Sequence, residues 1–179
     1  MYGEGYALKP GDLIEYVMKG FSTYSIEFGG DGLRYEVGIY DIYVNGRLIA
    51  EEEAPSACIL PNPLYPRGMD FWREMKRVCG KSSFHFICNV EILEGEAVFR
   101  ECLYSSPPTW TESVGYVEVE TGLLRNYTWY MYEYGSGKLL QSYSLVLVEP
   151  PEPPIRGPQF LYPQAKRGYL PMPIYSHIK

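Results

Sequence analysis

Apolar and polar residues alternate along most of the first 148 residues, which is the period of a half-buried β-strand. The cleanest alternation lies in residues 84–93, and Asn45-Gly46 between two alternating runs is a strong hairpin signal. Turns containing glycine separate several of the other runs. The pattern predicts strands over 21–28, 33–44, 48–51, 84–93, 97–104, 114–120, 123–134 and 139–148.

One segment, residues 69–79, has a helical period, because its apolar residues recur every three to four positions. Phe71, Met75 and Val78 thereby share one face of the predicted helix. Strands joined mostly by short turns form antiparallel sheets. We therefore predict a mainly β domain over residues 1–148, built from a curved antiparallel meander sheet (a half-barrel or an open barrel) and one short helix.

Residues 149–179 differ in composition from the rest of the chain. Eight of the 15 prolines lie there, and four Lys or Arg oppose two Glu. The net charge of this segment is +2. Since the net charge of the whole chain is −6, that of residues 1–148 is −8. Proline at this density excludes a helix or an inner strand, so we predict an extended tail. Its many apolar residues indicate that the tail docks on its own body or on a neighbouring protein.

The overall charge and hydrophobicity narrow the classes of function. The acidic balance, 16 Lys plus Arg against 22 Asp plus Glu, argues against nucleic-acid binding, which needs a basic surface. Hydrophobic residues make up 46% of the chain, enough for a core. No apolar run reaches the roughly 18 residues needed to span a bilayer, so the chain is not predicted to be transmembrane.

The four cysteines bear on the compartment. No C-x-x-C pair is present, which argues against a zinc ribbon or a thioredoxin-type site. A three-residue turn at 94–96 would place Cys88 opposite Cys102, and Cys58 would then pair with Cys79; four buried free thiols are the alternative. Disulfides favour an extracytoplasmic or cell-surface location, because the cytosol normally keeps thiols reduced. The cytosol of thermophiles is an exception, and the scarcity of Asn and Gln, which is typical of thermophile proteins, keeps that alternative open.

Motifs for catalysis or cofactors are not found. His85 is the one histidine of the predicted domain, and Glu91 or Glu101 could face it across strands, but no set of catalytic roles emerges. The run Glu51-Glu52-Glu53 lacks the spacing of a metal loop. We therefore predict a protein that is not an enzyme and that uses no cofactor or metal.

Aromatic residues supply the candidate binding surface, because the chain holds 18 Tyr, 7 Phe and 3 Trp. Residues 127–134 form a strand that is aromatic on both faces, so one face meets the core and the other meets a helix, the tail or a partner. The candidate binding residues are Tyr127, Trp129, Tyr130, Tyr132 and Tyr134 in this strand, and Phe160, Tyr162 and Tyr169 in the tail.

Two motifs carry a family resemblance. Residues 9–16 (KPGDLIEY) and 117–127 (VEVETGLLRNY) resemble the opening strand and a hairpin of archaeal extracytoplasmic domains, although Glu118 stands where that pattern has Asp. The sheet of those domains is similar to the lipoprotein-carrier half-barrel. The resemblance implies a curved antiparallel sheet wrapped on a helix that can shelter an apolar ligand.

These observations yield two functional hypotheses. The first is a non-catalytic structural or interaction protein, docked in a larger assembly of partner proteins or of its own copies through residues 149–179 and the aromatic sheet face. The alternative is a carrier or binding domain for an apolar or glycan ligand in the concave face of the sheet, lined by residues such as Phe84, Phe86 and Tyr130.

Overall fold

The fold is taken from a computed structural model that describes residues 8–28, 31–49, 60–79, 87–103, 109–148 and 156–164. These residues contain one helix and nine strands. The elements are β1 (Ile14–Phe28), β2 (Asp31–Val44), β3 (Arg47–Leu48), α1 (Met69–Cys79), β4 (Ile87–Leu93), β5 (Glu96–Leu103), β6 (Thr109–Glu118), β7 (Leu124–Glu133), β8 (Leu139–Val146) and β9 (Phe160–Gln164).

The first sheet is built on the long antiparallel pair of β1 and β2, and β3 and β9 share the other edge of β2. The predicted Asn45-Gly46 turn joins β2 to β3. Both residues have positive φ, 51° at Asn45 and 79° at Gly46, which is the conformation that makes Asn-Gly a hairpin signal. The Asn45 side chain accepts the N–H of Leu13 and donates to Asp12, so the turn is tied to the start of β1.

The second sheet is a five-strand antiparallel meander in the order β4-β5-β6-β7-β8. Leu93 pairs with Glu96, so the β4–β5 turn contains two residues, Glu94 and Gly95. The predicted three-residue turn at 94–96 is therefore wrong. Gly95 has a φ of 76°, which a residue without a side chain adopts at no steric cost.

Helix α1 joins the two sheets through its apolar face. Phe71, Trp72, Met75 and Val78 are all at most 1% exposed. Phe71 meets Tyr35 of the first sheet, and Trp72 stacks on Phe99 of the second. The side chains of both sheets and of the helix therefore form one core.

The predicted class, mainly β and antiparallel with one short helix, is confirmed. The expected single curved sheet is instead two separate sheets, and neither closes into a barrel within the described part of the chain. The break falls where α1 is inserted between β3 and β4 in the chain order. In the described ranges, no helix has the length and apolar character needed to cross a membrane.

The described part of the tail, residues 156–164, lies on the first sheet. Its strand β9 pairs antiparallel with β2, and Pro163 lies opposite Leu33. Proline lacks the N–H that an inner strand needs, but an edge strand tolerates it. The tail is thus extended here, as predicted, and it docks on its own body.

The cysteines depart from the predicted pairs. Cys79 at the end of α1 is a buried free thiol, so the predicted Cys58–Cys79 bridge is wrong. Cys102 is disulfide-bonded. The β4–β5 register does not place Cys88 opposite Cys102, because the turn is one residue shorter than expected and Cys88 falls in a register shift between Ile87 and Asn89. The side chains of Cys58 and Cys88 lie outside the described residues, so the pairing of Cys88 with Cys102 stays a prediction.

Candidate functional site

A row of aromatic rings lies on the face of the second sheet that points away from the core. The β6–β7 register sets Trp110 opposite Tyr132 and Glu112 opposite Tyr130. The Trp110 and Tyr132 rings stack with centroids 4.4 Å apart and planes 18° apart, and Tyr130 follows at 6.1 Å from Tyr132. We call Trp110, Tyr130 and Tyr132 the outer ladder. Its rings are half-buried, so part of each reaches solvent.

A charged pair borders the outer ladder. Arg100 of β5 pairs with Glu112 of β6, next to Trp110 and Tyr130 in the register. Desolvation raises the pKa of Tyr132, and the nearby Glu112 carboxylate raises it further. The surface therefore combines flat apolar rings with one cationic and one anionic group, a composition suited to amphipathic partners.

The opposite face of β7 belongs to the core. Tyr127 is 1% exposed and Trp129 is 3% exposed. Trp129 stacks on Tyr143 of β8 at 5.4 Å. The expectation that one aromatic face of this strand meets the core is thus confirmed. In the described residues, α1 and β9 pack against other strands than β7, so neither covers the outer ladder.

A carboxylate is buried beneath the same sheet. Glu101 of β5 accepts a hydrogen bond from the Ser113 hydroxyl at 2.8 Å and one from the Tyr127 hydroxyl at 3.3 Å. Burial raises the pKa of Glu101, and the two hydrogen bonds oppose that rise only in part. Both hydroxyls donate to the same carboxylate oxygen, Oε2, so the cluster satisfies that oxygen inside the protein.

The described tail is held by polar contacts to β2. Glu36 accepts a hydrogen bond from Arg156 at 2.6 Å and another from the backbone N–H of Gln159 at 3.0 Å. The Arg156 guanidinium also lies over the Phe21 ring, 4.9 Å from its centroid. Glu36 therefore fixes the entry of the tail onto the first sheet.

The predicted binding residues are not all brought together. Tyr130 and Tyr132 lie in the outer ladder, and Tyr134, at 62% exposure, lies in the turn directly after β7. Phe160 packs against Phe71, far from this face in the topology, and Tyr162 lies opposite Arg34 in the pairing of β9 with β2. The expectation that the aromatic strand receives the chain's own tail is therefore wrong for residues 156–164, whereas receipt of a neighbour's tail stays a prediction. Tyr169 lies outside the described residues.

Trp110 is the member of the ladder that sequence reasoning missed. The sequence pattern predicts a strand only from residue 114, because residues 105–108, with Pro107-Pro108, break the preceding alternation. The strand in fact begins at Thr109. The signal was available in Thr109-Trp110-Thr111, where an aromatic residue between two β-branched residues is typical of a strand.

The alternative hypothesis, a ligand site in the concave face of the sheet, needs a cavity between the inner faces of the strands. The inner faces of the described strands are occupied by core side chains such as Phe99, Val117 and Trp129, and Tyr130 points the other way. Phe84, Phe86 and His85 lie outside the described residues. One open cleft of about 560 Å³ lies elsewhere, between Arg67, Gly68, Asp70 and residues 156–160.

The described ranges also contain no group of three or more His, Cys, Asp or Glu side chains that could hold a metal ion. Comparison of the chain with protein-family models, with curated proteins and with solved structures found no match. The functional argument therefore depends on the geometry of the site itself.

Proposed function

We propose that this protein is a non-catalytic interaction protein that takes part in a larger assembly through the outer ladder and its C-terminal tail. The observation that carries the proposal is the stack of Trp110 on Tyr132, with Tyr130 beside it, on a sheet face that no described helix or strand covers. Large aromatic side chains are enriched in protein interfaces and provide much of their binding energy.

The apolar surroundings of the ladder support the same proposal. Leu139 lies opposite Tyr132 in the pairing of β7 with β8, and Leu139 and Tyr134 are 48% and 62% exposed. Scattered exposed apolar residues are ordinary, but a contiguous patch next to stacked rings marks a contact surface. The Arg100–Glu112 pair at its border supplies the polar rim that such surfaces have.

Location is part of the proposal. Cys102 is disulfide-bonded, and disulfides persist in oxidising compartments or in the cytosol of hyperthermophiles. We propose an extracytoplasmic or cell-surface position, with Cys88 as the bonding partner of Cys102. Peptide mapping of the unreduced protein would identify the bonded pair, and a Cys58–Cys102 peptide would contradict this assignment.

The experiment is native mass spectrometry of the chain isolated from its own source, as wild type and as the double variant Trp110→Ala/Tyr132→Ala. Tyr116→Ala is the matched control, since Tyr116 is 39% exposed on the same face of β6 but outside the ladder. We expect a wild-type mass well above 20.6 kDa that the control keeps and the double variant loses. A wild-type monomer that carries only a small releasable mass would contradict the proposal and favour the ligand-carrier alternative.

A further inference from the structure

The free edge of β8 is the least protected strand edge in the described residues. β8 pairs with β7 on one side, and no described strand pairs with its other side. Residues 139–148 contain no charged residue and no proline, whereas the edge strand β1 carries Glu15, Lys19 and a bulge. Natural edge strands are normally guarded by such features, so an open, uncharged edge indicates that something covers it.

The hydrogen-bonding groups on this edge can be assigned from the register. The N–H of Leu147 donates to the carbonyl of Arg125 at 2.9 Å, so it points toward β7. Because direction alternates along an antiparallel strand, the backbone groups of Ser142, Ser144 and Val146 point to the free edge. Val146 is also 66% exposed, so apolar surface accompanies these groups.

The part of the chain best suited to this edge is the segment 169–175, with the sequence Tyr-Leu-Pro-Met-Pro-Ile-Tyr. In an extended strand, Pro171 and Pro173 face the same edge, which therefore lacks two donors. The opposite edge keeps the complete backbone groups of Leu170, Met172 and Ile174. Such a strand can pair on one side only, and it ends the sheet that it joins.

The same tail already behaves in this way upstream. β9 adds to the edge of β2 although Pro163 lies within it. The charges also agree, because Lys166 and Arg167 precede the segment and no Asp or Glu lies beyond residue 152, whereas residues 1–148 carry −8. Opposite charge favours encounter between the tail and an acidic body.

The reach of the tail indicates a second copy as its source. β9 and β4 both pack against α1, and β8 is four strand spacings, about 19 Å, from β4. The step from Gln164 to Tyr169 spans at most about 18 Å, because five fully extended residues reach about 3.6 Å each. We propose that residues 169–175 of one copy add as a strand to the free edge of β8 in a second copy. This inference rests on the proposed function, since it names the partner that the tail engages.

Complementation between two blocked variants tests the proposal in the full-length chain. Met172→Pro removes a donor from the pairing edge of the tail, and Ser142→Pro removes one from the free edge of β8. Met172→Leu and Ser142→Thr keep those donors and serve as controls. By native mass spectrometry we expect wild type and both controls as oligomers of the 20.6 kDa chain.

Each blocked variant alone is expected as a monomer, and their mixture should contain a species of two chains, because Ser142→Pro still supplies a tail and Met172→Pro still supplies an edge. Formation of that species shows that Met172→Pro is folded, because it supplies the β8 edge, and circular dichroism of Ser142→Pro checks that this variant keeps the wild-type fold. A monomeric wild type, an unchanged mass of Met172→Pro, or a mixture that stays monomeric overturns the inference. The proposed function fails separately, if Trp110→Ala/Tyr132→Ala leaves the assembly intact.

Discussion

The two faces of the five-stranded sheet carry the same kind of side chain in different surroundings. On the inner face, Tyr127 and Trp129 are nearly inaccessible and pack with Tyr143. On the outer face, Trp110 and Tyr132 stack at least as closely, yet they are only half-buried. The difference shows that aromatic stacking alone does not define a core. The inner rings stabilise the fold, whereas the outer rings keep apolar area that a partner can bury.

The largest effect that separates the two faces is expected from truncating a tryptophan. Trp129→Ala removes a buried ring and should lower the free energy of unfolding by about 3–5 kcal/mol. Trp110→Ala removes one ring of a half-buried stacked pair and should lower the free energy of unfolding by less than about 2 kcal/mol. Urea unfolding followed by circular dichroism measures both values. Equal losses at the two positions would contradict the assignment of the faces.

A smaller effect is expected from adding one methyl group to the inner face. A Cβ at Gly115 would lie 2.2 Å from the ring of Phe99, which is itself fully buried. Gly115→Ala should therefore destabilise the protein by about 1–3 kcal/mol through overpacking. Gly20→Ala in β1 is the control, because nothing lies within 4 Å of that Cβ. Thermal unfolding of the two variants would show no difference if the Phe99 ring moved aside freely.

The pH dependence of stability should have opposite signs on the two faces. Burial raises the pKa of Glu101, so its contribution to stability is full below the ordinary carboxyl pKa and is lost as pH rises through the raised value. Hydrogen bonds from Thr121 and Arg125 lower the pKa of Glu118 on the outer face, so its contribution is lost as pH falls.

Glu101→Gln should therefore gain stability relative to wild type as pH rises from about 4, the ordinary carboxyl range. Glu118→Gln should lose stability relative to wild type at lower pH, as pH rises through the lowered pKa of Glu118 up to about 4, and the loss should be smaller because solvent screens that surface carboxylate. Denaturant titrations at several pH values measure both differences. The same slope for the two variants would show that Glu101 is not held in the core.

The sequence was informative where a local pattern determines the structure. Residues 69–79 were predicted as the helix and α1 spans Met69–Cys79, since its apolar spacing and its packing agree. The Asn45-Gly46 hairpin was predicted because these two residues favour the positive φ that the turn requires, and both adopt it. Period-two alternation located most strands, but it failed at the start of β1, where a bulge between Met18 and Gly20 shifts the side chains by one position.

Features that depend on long-range pairing could not be predicted from local patterns. The division of the strands into two sheets is one such feature. The pairing of β9 with β2 is another, because it joins residues more than a hundred positions apart. The outer ladder needs the β6–β7 register, which sets Trp110 opposite Tyr132. Alternation identified the two faces of β7 but could not tell which one is core, because both are aromatic.

Hydroxyl-radical footprinting tests the central claim, that the outer ladder is a contact surface, most directly. The isolated chain and the native assembly would be oxidised under the same conditions, and the modification of each tryptophan would be measured by mass spectrometry. The account predicts that Trp110 is oxidised in the isolated chain and several-fold less in the assembly. Trp129, at 3% exposure, should react weakly in both. Equal oxidation of Trp110 in the isolated chain and in the assembly would contradict the account.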